Sequence, residues 1–206
     1  ERVKHRRGLM PEGLGQNLYG ELSVEENIDY FARLRLVPRE ELHQRKTRLL
    51  QMTGLDSFTT RPMKQLSGGM KQKLGLVCTL IHFPELLLLD EPTTGVDPVS
   101  RRDFWSILTS LIAERSITAI VSTAYMEEAV YCDRLALMID GSVLATGDRS
   151  DLLAKVDGAK FRIRGGDQIA TLNRLKQLDA HVELAGAELH VFLPDDDEAS
   201  AEARLR

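Results

Sequence analysis

The run Leu86 to Leu89, four leucines closed by Asp90 and Glu91 in "LLLLDEP", constrains the fold of this chain more than any other feature. A strand that is apolar at every position has no face to offer water, so it belongs in the middle of a parallel sheet with helices packed on it. The neighbouring segments agree. A short strand is expected at Arg7 to Met10, and further strands at "ITAIVS", "RLALMI" and "SVLATG", with a turn at Asp140 and Gly141. Helical patterns separate most of these strands, and that alternation defines an α/β fold with a mainly parallel sheet.

The helices carry their own start and stop signals. "SVEE" is a capping box: Ser23 can accept from the amide of Glu26 while Glu26 reaches back to the amide of Ser23. The helix it opens puts Ile28, Phe31, Ala32 and Leu34 on one side. A second helix, Arg39 to Met52, is expected to end at Gly54 in a left-handed cap. A third begins at "LSGGMKQKLGLVCTL", shows Met70, Leu74, Val77 and Ile81 at helical spacing, and stops before Pro84. A fourth runs from Pro98 to about Ala113, and a short one lies at Met126 to Tyr131. After Val156 the pattern changes to a strand "FRIR", a helix from Asp167 to Leu178, and a hairpin with alternating Val182, Leu184, Leu189, Val191 and Leu193. These residues read as a small separate α+β unit. The acidic run Asp195 to Glu198 reads as a solvated tail.

Composition excludes several functions. The 206 residues are 43% hydrophobic and 28% charged, which suits a globular protein with one large domain and a small appendix. A formal net charge of −4 gives no general attraction to nucleic acid or anionic lipid, so no direct nucleic-acid partner is expected. The cluster Arg2, Lys4, His5, Arg6 and Arg7 reads as a solvated strand edge. No apolar run reaches the ~18 residues of a membrane helix. Cys78 and Cys132 lie far apart among apolar neighbours and read as two buried thiols in a reducing compartment. The chain starts at Glu1 without an initiator Met or a signal peptide, so it is expected to be part of something longer.

Chemistry concentrates at two places. Asp90 ends a central parallel strand, where open α/β sheets bind ligands. With Glu91 beside it, one acid can orient a hydrated metal and the other can polarise an attacking water, as phosphoanhydride hydrolysis requires. The same pair could simply start the turn into the next helix, since acids are common there. In "LSGGMKQ", Ser67 is a good helix cap, and Gly68 and Gly69 let backbone N–H groups approach an anion. A plain helix cap is the alternative. The order of features is more specific: an anion-binding helix start, an apolar helix, Pro, four leucines, Asp-Glu-Pro, then Gly-Val-Asp-Pro.

That series resembles the nucleotide-binding domain of ABC transporters. "LSGGMKQK" is similar to the family signature, "LLLLDEP" to its Walker B strand, "GVDP" to its D-loop, and "MPEGLGQNLYGELSVEENIDYFARL" to the passage from the Q-loop into the helical subdomain. The resemblance covers Arg6 to Leu153. It implies a P-loop NTPase core over 1–155, with a helical subdomain at about 22–83 and a small α+β extension over 156–206. It also implies ATP and Mg²⁺ as ligands. Asp90 would hold Mg²⁺ through water, and Glu91 would be the general base. Ser67, Gly68 and Gly69 would bind the γ-phosphate of a nucleotide held by a second ABC domain, and Asp97 would lie at the interface between the two. Asp97 is equally suited to cap the helix that Pro98 begins.

Three departures from the family pattern carry weight. No G-x-x-x-x-G-K-[ST] occurs, and no glycine is followed by lysine. The family's loop precedes the Q-loop, so truncation is the expected reason. Glu12 stands where the family has Gln and adds negative charge beside phosphates. Ala124 stands where the H-loop has a histidine, and its methyl group cannot hydrogen-bond a γ-phosphate. Both changes weaken this domain's own site, whereas Ser67 would complete the partner's. The wording of these motifs is most similar to the first ATPase domain of bacterial tandem multidrug exporters of the ABC-2, ribosome-associated ATPase-like type. The resemblance then implies an ATPase that couples domain dimerisation to export, with a transmembrane permease as second partner, at the cytoplasmic face of the inner membrane. On its own the chain would be inactive for want of the P-loop. A soluble ABC ATPase acting on ribosomes and a catalytically silent regulatory domain are the alternatives.

Overall fold

The computed structural model describes residues 6–156, 158–175, 180–186, 188–194 and 200. Its contacts divide into two compact units, Glu1–Tyr131 and Cys132–Arg206.

In the first unit, β1 (Arg7–Met10), β2 (Leu86–Asp90) and β3 (Thr118–Ser122) form a three-stranded parallel sheet in the order β1-β2-β3. The four-leucine strand is therefore central, as its apolar character requires. Gly8, Met10, Leu87 and Leu89 are buried on one face. The reason is α3 (Gly68–Leu80), which packs so closely that a Cβ at Gly8 would lie 2.9 Å from Thr79 Cγ2. On the opposite face Leu86 and Leu88 are only half-buried, and Leu9 and Ile120 are exposed.

The helices form where their signals lie. Ser23 caps α1 (Val24–Leu34) with both halves of the capping box in place. Ile28 and Ala32 are buried, Phe31 is half-buried and Leu34 is 59% exposed, so the apolar side is one turn shorter than the spacing suggests. Asn27, fully buried, fixes the turn before α1 by donating through Nδ2 to the carbonyls of Tyr19, Leu22 and Ser23 and accepting from the Tyr19 amide. α2 (Arg39–Thr53) ends at Gly54 with φ 66°, the expected left-handed cap. Lys46 of α2 sits 2.6 Å from Glu25 and 2.9 Å from Asp29 and ties α2 to α1. In α3, Leu74, Val77 and Ile81 are buried while Met70 is half-buried. α4 (Pro98–Arg115) buries Phe104, Trp105, Leu108 and Leu111, and Trp105 stacks on Tyr131 at 4.9 Å. Met126–Tyr131 forms a 3-10 helix.

The second unit contains the antiparallel pair β4 (Leu135–Ile139) and β5 (Ser142–Gly147), joined by Asp140 and Gly141, both at positive φ as a tight hairpin requires. α5 (Arg149–Ala154) follows, opened by a capping box from Asp148. The antiparallel sheet β6-β8-β7 (Ala159–Arg164, Glu188–Leu193, His181–Ala185) packs with α6 (Gln168–Leu175) around Ala159, Leu175, Leu189, Val191 and Leu193. This is the expected strand, helix and hairpin. Residues 176–179 of the expected helix, the acidic run 195–198, and Arg2, Lys4 and His5 lie outside the described residues. Arg6 pairs with Glu85, and Arg7 is exposed. Cys78 is buried and Cys132 half-buried, which corrects the expectation of two buried thiols. No helix among the described residues is long and apolar enough to cross a membrane.

Candidate functional site

The acids at the end of β2 are organised by the strand beside it. Parallel pairing puts Asp90 opposite Ser122 of β3, and the Ser122 hydroxyl donates to Asp90 Oδ1 at 2.6 Å. The Ser122 hydroxyl oxygen in turn accepts the backbone N–H of Glu91 at 3.0 Å. Glu91 adopts φ 44°, a left-handed conformation uncommon outside glycine, which turns the chain sharply out of the strand. Its Oε2 accepts from Thr94 Oγ1 at 2.9 Å and from the backbone N–H of Ala124 at 3.3 Å. Asp90 and Ala124 are exposed and Glu91 is half-buried. Position 124 thus meets Glu91 through its main chain, whatever its side chain lacks.

Ser67, Gly69 and Asp97 form a second cluster. Ser67 Oγ caps α3 by accepting from the Met70 amide at 3.3 Å. Asp97 Oδ1 caps α4 by accepting from Val99 and Ser100 at 3.1 and 2.9 Å. The Ser100 amide holds the Asp97 carboxyl below its ordinary value, with a smaller contribution from Val99. Gly69 lies against α4: a Cβ there would meet Ser100 Oγ at 2.4 Å and Ser100 Cβ at 2.6 Å. Leu14, from the turn after β1, touches both glycine positions, 3.2 Å from a Cβ at Gly68 and 3.6 Å from one at Gly95. Lys73 bonds Asp103 at 3.1 Å, and Gln72 donates to the Pro92 carbonyl, so α3 is joined to both α4 and the turn after β2. Glu12 stands exposed on the same turn as Leu14.

An exposed carboxylate at a strand end suits a hydrated Mg²⁺, which uses one or two carboxylates and completes its shell with water and phosphate oxygens. Among the described residues no group of three or more His, Cys, Asp or Glu gathers into a self-sufficient metal cage. Ser122, Thr94, Thr93 and Glu128 were not expected at the site from the sequence. Only Ser122 had a usable signal, its place opposite Asp90 once β2 and β3 pair in register.

A parallel α/β core with two acids at the end of its central strand, and glycine-opened helix α3 braced against α4, defines a nucleotide-hydrolase type of domain. Residues 1–94 match the family described as ABC transporter. A Nod factor export ATP-binding protein I of Burkholderia lata is 33% identical over 210 residues, covering 100% of this chain and 68% of that protein. The chain belongs to the ABC transporter family, as an ATPase domain. A probable multidrug ABC transporter ATP-binding protein, YbhF of Escherichia coli, is 45% identical over 154 residues, which make up 75% of this chain and 26% of that protein. The chain thus matches only about a quarter of that relative's length. Among solved structures, cbiO1 of Clostridium perfringens, part of the ABC transporter complex cbiONQ, aligns with a TM-score of 0.67 and 26% identity over 75% of this chain and 61% of that one.

Proposed function

We propose that this chain is the ATP-binding domain of an ABC exporter, one half of an unequal pair in which it completes a working site on its partner better than it serves its own. Asp90 would hold a hydrated Mg²⁺ and Glu91 would act as general base. Ser67, Gly68 and Gly69 would receive the γ-phosphate of the partner's ATP, with Asp97 between the two domains. The second ABC domain and a transmembrane permease are the partners, and the cytoplasmic face of the membrane is the place of action.

The observation that supports the inequality is the contrast between the two clusters. The trans-acting one keeps its serine cap, both glycines and Asp97. The other has Ala124 in place of a hydrogen-bonding side chain and Glu12 in place of a neutral one. Without a G-x-x-x-x-G-K-[ST], these 206 residues by themselves would not hold the β-phosphate, and isolated they would be inactive. Residues 156–206 would form an extension beyond the catalytic core of 1–155. Export is the proposed work because the relatives are named for multidrug and Nod factor export. Ser67→Arg in the full-length protein tests the pairing: turnover should fall at least about 10-fold, in line with loss of a transition-state donor. Unchanged turnover would overturn it.

A further inference from the structure

Glu128 is a completely buried acid that lies apart from the proposed Mg²⁺ and γ-phosphate contacts. A buried charge is costly unless it is well paired, so its partners are informative. Thr93 Oγ1 donates to Oε1 at 2.5 Å, and Thr123 Oγ1 donates to Oε2 at 2.6 Å. Arg101 of α4 places Nε 3.9 Å from Oε1, lays its guanidinium 3.8 Å over the Tyr125 ring, and bonds Glu127 at 2.8 Å. Thr123 Oγ1 also accepts the Tyr125 amide at 3.0 Å. Thr93 belongs to the turn that begins at Glu91 and ends at Asp97, closed by the Thr94 amide on the Glu91 carbonyl and the Val96 amide on the Thr93 carbonyl. Thr123 belongs to the loop that carries Ala124.

We propose that Glu128 is a positioning residue that joins these two loops through Thr93 and Thr123, so that the turn bearing Glu91 and Asp97 and the loop bearing Ala124 move as one body. A side chain at position 124 that could bridge to the nucleotide is absent here. The Ala124 amide on Glu91 and the Glu128 carboxylate then tie the loops together by hydrogen bonds, alongside the Glu91 amide on Ser122 at the end of β3. Each threonine has a single hydroxyl proton and gives it to Glu128, so removing either hydroxyl breaks the bridge from one side only. The importance of this coupling for turnover rests on the roles proposed above for Glu91 and Asp97. The coupling itself does not.

Amide hydrogen exchange on the full-length protein tests it with the near-isosteric variants Thr93→Val and Thr123→Val. Thr93→Val should speed exchange of the Ala124 and Tyr125 amides about 10-fold, although the substitution lies in the other loop. Thr123→Val should do the same at Thr94 and Val96, while Ile28 in α1 exchanges as before. Acceleration confined to the substituted loop would overturn the proposal. So would equal acceleration in α1, which would mark a general loss of stability. Because no nucleotide is needed, these results stand even if Ser67→Arg refutes the unequal pair.

Discussion

Gly69→Ala probes the contact that joins α3 to α4. The added methyl would sit 2.4 Å from Ser100 Oγ and 2.6 Å from Ser100 Cβ. A rotamer change could move the hydroxyl, but Cβ moves only with the backbone at the start of α4. Such overpacking costs about 1–3 kcal/mol. Against it stands the helix preference of alanine over glycine, at most ~1 kcal/mol. With the full offset, the balance is a destabilisation of up to about 2 kcal/mol. Urea unfolding followed by Trp105, the single tryptophan and a buried residue of α4, reads it directly. Ser100→Ala should not rescue the variant, because its Cβ remains. Ser100→Gly should, giving a coupling of about 1–2 kcal/mol in the double-mutant cycle. A Gly69→Ala protein more stable than the parent by the helix-preference term would refute the close approach.

Other predictions concern the caps and the buried thiol. Asp97 has its carboxyl held below its ordinary value by the Ser100 amide and, to a smaller extent, the Val99 amide. The stability this adds is present above the unfolded-state value and is lost as pH falls through the folded one. Asp97→Asn, which still caps, should flatten that acid limb in pH-dependent urea titrations. Ser23→Ala removes half of the α1 capping box and should cost about 1 kcal/mol in the same assay. Burial raises the Cys78 thiol well above its ordinary value, so mass spectrometry after iodoacetamide at pH 8 should find Cys78 unmodified until the chain is unfolded.

The parts of the fold that were legible in the sequence have short-range causes. The four-leucine strand, the Ser23 capping box and the Gly54 cap each depend on residues a few positions apart, and each formed where expected. Leu34 went astray because helical spacing marks a direction around the helix without saying how far along it the core extends. Asp90, Glu91, Ser67 and Asp97 are candidates that residue type and order alone single out, and the roles proposed for them rest on that. Ser122 and Glu128 are not singled out in this way, because their importance comes from strand register and from pairing across 35 residues. Glu128 sits in "MEEA", where an acid would ordinarily face solvent. The main-chain bond from Ala124 to Glu91 was equally hidden, since a sequence describes side chains and leaves amide directions to the fold.

The unequal pair is tested most directly by comparing Glu91→Gln with Ser67→Arg in the same full-length protein, with ATP turnover measured at saturating nucleotide. A working general base contributes about 10²–10⁴-fold. If this domain lends its signature helix and does little hydrolysis itself, Ser67→Arg removes most of the turnover and Glu91→Gln removes less than about half. If Glu91→Gln costs as much as Ser67→Arg, the site on this chain is a full catalytic partner and the inequality is wrong.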